Sequence, residues 1–197
     1  HGRMTLIGQC RHVNDKHVLG RYPAYARLLE FAAHAQNDGT RYLSDGFFAD
    51  LLTWFHLAWL GEHVHRHDGR VKALLAVERG YTAADRRLLV TIIGELLASI
   101  LRRYRSLQQR RQVELAVSPW AHPILPLLVD FDSARAALPH IELPHTRQYA
   151  GGADRVAWHL QEAQRSAQRH FGLHATVCWP SEGGISDAAL ASIGQAG

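Results

Sequence analysis

Apolar residues recur at helical spacing through most of the chain. From Pro23, the residues Tyr25, Leu28, Leu29, Ala32 and Ala33 share one face, and the segment runs out at Asn37-Asp38-Gly39. Ser44 and Asp45 stand as caps before a second helix holding Phe47, Phe48, Leu51, Leu52, Phe55 and Trp59, which should end near Gly61. A short helix from about Asp68 to Glu78 is stopped by Gly80. Thr82 then precedes Asp85 by three residues, a variant of the capping box. Behind it Leu88, Leu89, Ile92, Ile93, Leu96, Leu97, Ile100, Leu101 and Tyr104 form a long apolar stripe that predicts a helix to about Gln109.

The pattern changes after that helix. Val113 to Val117 and Ala175 to Trp179 read as short strands. Five of the seven prolines lie between Pro119 and Pro144, which predicts extended loop with at most short turns. Asp154 is a candidate cap for a helix closed by Gly172, and Ser186 for a last helix reaching about Gln195. Residues 1–22 carry no clear period and are expected to be irregular, leaving 23–197 as the folded region. The fold class expected is therefore α/β and helix-rich, with few short strands. In such folds chemistry collects where strands end in loops, and both strands here run into unusual loops.

Composition changes this picture little. Hydrophobic residues make up 47% of the 197 and charged residues 20%, as in ordinary globular proteins. No stretch is apolar and long enough to span a bilayer, and His1 to Gly20 has no signal-peptide core, so neither membrane nor export is expected. Two distant cysteines, Cys10 and Cys178, suit a reducing, cytoplasmic setting. The net charge of +4 and the cluster Arg102, Arg103, Arg105, Arg110 and Arg111 invite a nucleic-acid reading. These arginines sit at a helix end, where cations complement exposed carbonyls, and no aromatic residues interleave with them. Nucleic acid is therefore not expected as a partner.

Candidate chemistry lies in the two loops. Glu182 follows a strand, stands near Trp179 and precedes two glycines, so backbone can approach a ligand and an indole can face a sugar ring. Such a carboxylate suits glycoside cleavage, although helix-start acids are common and account for the position more readily from local pattern alone. His122, between Ala121 and Pro123, either meets a sugar hydroxyl or bonds loop carbonyls. Glu114 alternates with Val113 and Leu115 and needs a partner or ligand if its face is buried. His63, His65 and His67 form an alternating run beside Glu62, which reads as a solvated loop rather than a metal site because no further ligand cluster accompanies it. Trp54 and Trp59 are assigned to core packing, and Cys178 to burial rather than nucleophilic duty. No metal or cofactor is implied, and no Walker, dinucleotide or G-x-S-x-G pattern occurs.

Taken together, Val113 to Leu128, with Ser118-Pro119-Trp120-Ala121-His122-Pro123-Ile124-Leu125-Pro126-Leu127-Leu128, and Trp179-Pro180-Ser181-Glu182-Gly183 resemble the second and third conserved regions of glycoside hydrolase family 57. Leu57-Ala58-Trp59 is similar to the helical stretch before those regions in the amylopullulanase-like branch. The resemblance implies part of a (β/α)7 barrel with long helical insertions and few short parallel strands. It also implies a retaining hydrolase or transglycosylase acting on α-glucan polysaccharide or oligosaccharide, with Glu182 as nucleophile. His122, Trp120, Trp179 and Glu114 would then contact substrate. Arg111 replaces a glycine common in the family, and Ala121 an aromatic residue. The family's His-Gln-Pro strand is not found, and its acid/base aspartate would fall outside these residues, a role the pattern gives to neither Asp130 nor Asp132. Alternatives are a noncatalytic carbohydrate-binding or assembly subunit and, behind it, a helical metal-binding module of His63, His65 and His67. Apolar surface left by an incomplete barrel would favour self-association.

Overall fold

The computed structural model describes residues 2–35, 37–146 and 148–196. It is 68% helical and forms two compact units, residues 1–97 and 98–197.

In the first unit, α1 (Gly2–Cys10) and a π-helical turn (Asp15–Leu19) replace the irregular segment expected over residues 1–22. Only Ile7 and Cys10 of α1 are buried, too few positions to print a readable period. Tertiary contact holds the helix instead: the Tyr25 hydroxyl donates to the Cys10 carbonyl at 2.5 Å. Helix α2 (Pro23–His34) opens on proline, whose missing amide is no loss there. Helix α3 (Asp45–Trp59) is capped by Ser44 Oγ, which accepts the Phe47 amide at 3.1 Å. Leu51 and Leu57 are fully buried, each contributing about 1.5–3 kcal/mol of transfer free energy. Trp54 is core as expected, but Trp59 is 65% exposed because it falls in the last turn of α3.

The histidine run is not a loop. It forms α4 (Glu62–His67), which brings His65 inward and leaves His63 and His67 outside. His65 Nε2 donates to the Leu57 carbonyl at 2.8 Å, and its Nδ1 stands 3.3 Å from the Tyr22 hydroxyl. A histidine so engaged has no lone pair left for a metal. His63 and His67 stack on the outer face with centroids 4.3 Å apart. Among the described residues no group of three or more His, Cys, Asp or Glu side chains is placed to hold a metal.

Helix α5 (Gly69–Val77) is capped by Asp68. The turn after it is fixed by Asp50 of α3, whose two carboxylate oxygens accept the Gly80 and Tyr81 amides at 2.8 Å each. The long α6 (Ala83–Gln109) begins at the expected capping box: Asp85 N–H donates to Thr82 Oγ1 at 3.2 Å, and Thr82 N–H to Asp85 Oδ2 at 2.8 Å. Of its apolar stripe only Leu89 and Ile92 are buried, while Leu97, Ile100, Leu101 and Tyr104 are exposed.

The second unit is built on α7 (Leu125–Val129), α8 (Gly152–Phe171) and α9 (Asp187–Ala196), around Leu125, Val156, Leu160 and Ala189. The proline-rich stretch is more structured than expected. Pro126 fits the first turn of α7, and Asp130 accepts the Asp132 amide to start a 3-10 turn over Phe131–Ala136. Asp154 does not cap α8. That place belongs to Gly151 in the left-handed region, and a Cβ on Gly152 would lie 1.8 Å from the Leu128 carbonyl oxygen. The α8 carboxyl end closes at Gly172, as expected, and accepts a 2.7 Å hydrogen bond from Arg105 to the His170 carbonyl. That arginine thus serves a helix end, but of α8 rather than of its own helix. Ser186 caps α9 through the Ala189 amide.

Both expected strands shrink to one parallel bridge between Val117 and Cys178. Val117 N–H donates to Val177 at 3.0 Å, and Trp179 N–H to Val117 at 2.8 Å. The segments do lie side by side and run in the same direction. Among the described residues neither has a further strand beside it, so no ladder extends from the bridge. No helix among the described residues is long and apolar enough to cross a membrane.

Candidate active site

The bridge fixes where the two loops meet. Both segments leave it in the same direction, so Ser118 to Pro123 and Pro180 to Gly184 emerge together. His122 Nε2 stands 3.3 Å from Glu182 Oε1, and the His122 ring lies 5.6 Å from the Trp179 ring at 39°. Three residues singled out in the sequence, sixty positions apart at their extremes, thus share one surface.

The local backbone is unusual. Ala121 (φ 57°), His122 (φ 58°) and Glu182 (φ 55°) all occupy the left-handed region, where an L side chain costs about 1–2 kcal/mol per residue. Such strain persists only where surroundings over-determine it. Around the histidine loop the fixings are specific. Pro119 is fully buried, and its carbonyl accepts the His122 amide at 2.9 Å. Trp120 is held from α8 at two points: its amide donates to the His159 carbonyl at 3.0 Å, and His159 Nδ1 meets the Trp120 carbonyl at 2.5 Å. Around Glu182, Ser181 is buried, and Gly184 passes so close to Ile124 that a Cβ there would meet its Cγ2 at 3.0 Å. Of the two glycines expected to allow a close approach, Gly184 makes one, to Ile124, while a Cβ on Gly183 would meet nothing within 4 Å.

Strained backbone under an open carboxylate is a presented side chain, not a packed one. The Glu182 side chain is 71% exposed and that of His122 42%, so their contact is screened by water and orients the pair more than it stabilises the fold. Trp120 and Trp179 are about half exposed, leaving indole faces open to a ligand. The reading of Glu182 as a helix-start acid does not fit: the acid in the first turn of α9 is Asp187, and Glu182 sits in its own 3-10 turn, Ser181–Gly183.

Glu114 stands apart. It precedes the bridge, on the entry side of the parallel pair, and lines an open cavity of about 480 Å³ with Gln112, Leu115 and His174. Asp130 is occupied capping its turn, and Asp132 pairs with Arg135 at 2.9 Å. Cys178 is half-buried and its thiol is pushed upward by burial, so its placement at the bridge agrees with a structural role. His159 was not singled out in the sequence. The one available signal was its place on α8, a position beside Leu160 on the flank of the buried stripe Val156, Leu160, Ala163 and Ala167.

Neither a curated protein nor a solved structure matches the chain. The family model described as "Glycosyl hydrolase family 57" matches residues 16–197, which include both loops and all the side chains of the cluster. With that match over most of its length, the chain belongs to glycosyl hydrolase family 57, a family of glycoside hydrolases and transglycosylases acting on glucans.

Proposed function

We propose that this chain is part of a retaining glycoside hydrolase or transglycosylase for α-glucans, with Glu182 as its nucleophile. The observation that carries the reading is the exposed Glu182 carboxylate, held on a left-handed turn beside His122 and Trp179 where two parallel segments end. In the first step a Glu182 oxygen forms a bond to the anomeric carbon as the glycosidic C–O bond breaks. The leaving oxygen takes a proton from a second carboxyl group. In the second step that group removes a proton from water, or from a sugar hydroxyl in transfer, as the new C–O bond displaces Glu182.

In the family's pattern the second carboxyl group belongs to an aspartate, a role assigned to none of the described residues. Asp130 and Asp132, the first acids after the histidine loop, are both engaged within their own turn. Trp179 and Trp120 serve as apolar platforms for sugar rings, and His122 as a hydrogen-bond donor to a sugar hydroxyl or to the carboxylate. Glu114 takes a more distant part of the chain of sugars, through the cavity it lines. The single parallel bridge, with loops gathered at its exit, supports a place for these segments in a (β/α)7 barrel.

The test is to incubate the full-length protein with a fluorinated α-glucosyl fluoride that stalls the second step, then map the adduct by mass spectrometry. A glycosyl group on Glu182, together with loss of turnover in Glu182→Gln, is the expected result. Turnover like wild type in that variant, or an adduct elsewhere, overturns the assignment. A second reading, a noncatalytic carbohydrate-binding subunit, is favoured by one observation: among the described residues, Glu182 is the one carboxylate paired with His122. It predicts glucan binding with no adduct in the same experiment.

A further inference from the structure

The histidine loop cannot hold its shape from its own sequence. Ala121 and His122 are consecutive non-glycine residues at positive φ, together costing on the order of 2–4 kcal/mol relative to ordinary backbone. His122 N–H to Pro119 closes the turn from within. It does not fix the turn relative to Glu182, sixty residues away. Something outside the loop must grip it, and the only such contacts to its backbone amides and carbonyls among the described residues come from one residue of α8.

That residue is His159. It accepts the Trp120 amide on its own carbonyl at 3.0 Å and meets the Trp120 carbonyl with Nδ1 at 2.5 Å, so both polar groups of one peptide residue are held by one partner. A carbonyl can only accept, so Nδ1 must be the donor, which selects the tautomer or charge state carrying a proton there. The neighbouring Leu160 is buried, anchoring this stretch of α8 in the core of its unit. The ring is thus a rigid strut from a packed helix to the residue two positions before His122.

We infer that His159 is a positioning residue: through its Nδ1–H bond to the Trp120 carbonyl it locks the Trp120-Ala121-His122 turn and so sets the His122 imidazole against Glu182. The inference rests on the proposed catalytic role of Glu182 for its effect on turnover, but the clamp itself is a structural statement that stands or falls separately. Without the ring, the turn keeps the Trp120 amide bond to the His159 carbonyl and the His122 amide bond to Pro119, but the Trp120 carbonyl is released and Ala121 and His122 can relax toward negative φ. His122 then swings from Glu182, and the Trp120 indole tilts with the same peptide. Displacements of about 1 Å at reacting groups can cost on the order of a hundredfold in rate.

The test uses two variants of the full-length protein. His159→Phe keeps a flat ring of similar volume and removes the donor. His159→Asn places a side-chain amide N–H close to where Nδ1 stood. The expected result is a fall in kcat of about tenfold or more for His159→Phe on soluble α-glucan, with recovery to within about threefold of wild type in His159→Asn. Equal rates in the two variants, whether both high or both low, would overturn the inference. A second readout does not depend on activity. In nitrogen-proton correlation spectra of the imidazoles, the His122 resonances should move in His159→Phe and return toward their wild-type positions in His159→Asn. Unmoved His122 resonances in His159→Phe overturn the clamp even if Glu182 proves to be the nucleophile. If Glu182→Gln keeps its turnover while the His122 resonances respond as expected, the catalytic reading fails and the clamp stands.

Discussion

His122 Nε2 and Glu182 Oε1 lie 3.3 Å apart, each on a residue whose backbone is held at positive φ. An imidazole so placed can donate to the carboxylate or to a sugar hydroxyl beside it, a task a hydrocarbon ring cannot perform. Replacing His122 by Phe should leave glucan binding nearly intact while lowering kcat by about a hundredfold, the scale of losing one well-placed donor. Initial rates on soluble glucan, measured across substrate concentration in the full-length protein, separate the two constants. Rates within about twofold of wild type would remove His122 from the chemistry.

Ala121 offers a test of the strain itself. At φ 57° a methyl group is tolerated at a cost of about 1–2 kcal/mol, which glycine would not bear. Glycine also loses more freedom on folding, by about 0.5–1 kcal/mol. Ala121→Gly should therefore be neutral or stabilising by up to about 1.5 kcal/mol, whereas glycine at an ordinary exposed site destabilises. Ala121→Val, β-branched and poorly suited to this region, should lower stability by more than about 1 kcal/mol. Denaturant midpoints of the two variants decide it. A destabilised glycine variant would mean that the turn is not strained.

Local signals in the sequence were faithful where the physics is local. Ser44, Thr82 with Asp85, and Ser186 each cap the helix that follows, because a cap needs only its own side chain and the next few amides, whereas Asp154 gives way to Gly151 at the start of α8. Glu182 and His122 were legible as residues by their loops and by resemblance to the family. Their contact was not, since nothing in either loop encodes a partner sixty positions away. The strands were overread for the same reason. Val113 to Val117 and Ala175 to Trp179 have strand composition, but a ladder depends on neighbours, and each meets the other at a single bridge. Histidine has little preference for helix or loop, so the His63 to His67 run gave no hint that Tyr22 and Leu57 would draw His65 into a core. Positive φ at Ala121, His122 and Glu182 runs against residue preference outright, and such exceptions gather where side chains are presented for chemistry.

In the first unit, Asp50 is the residue whose loss should be felt most among polar positions. It is buried, and its carboxylate is the acceptor for two amides of the turn between α5 and α6. Asp50→Ala strands the Gly80 and Tyr81 N–H groups and should cost about 2–4 kcal/mol, two charge-assisted bonds partly offset by water reaching Gly80. Asp50→Asn keeps one acceptor oxygen and should fall between that variant and wild type. Chemical denaturation of the three proteins checks the order. An Asn variant as unstable as the Ala variant would show that charge, not acceptor geometry, holds the turn.

Glu62 should make the first unit sensitive to acid. Its carboxylate accepts from Arg21 and, at 2.7 Å, from Arg66, and these two bonds, Arg21 first, hold its pKa down to about 2 from an ordinary value of 4.5. A carboxyl group whose folded pKa lies below its unfolded one favours the folded state once it is ionised in both, above about 4.5. The preference fades as pH falls, because the unfolded chain takes up the proton first, and it is gone below about 2. Glu62 is an exposed group, so the effect is further reduced by salt. Glu62→Gln cannot ionise and serves as the reference. The difference in Tm between wild type and Glu62→Gln should be steady near neutral pH, narrow between about 4.5 and 2, and shrink at about 1 M salt. Thermal melts followed by circular dichroism across that range measure it. A difference unchanged from neutral pH down to about 2 would mean that the Arg21 and Arg66 bonds do not discriminate the folded carboxylate from the unfolded one.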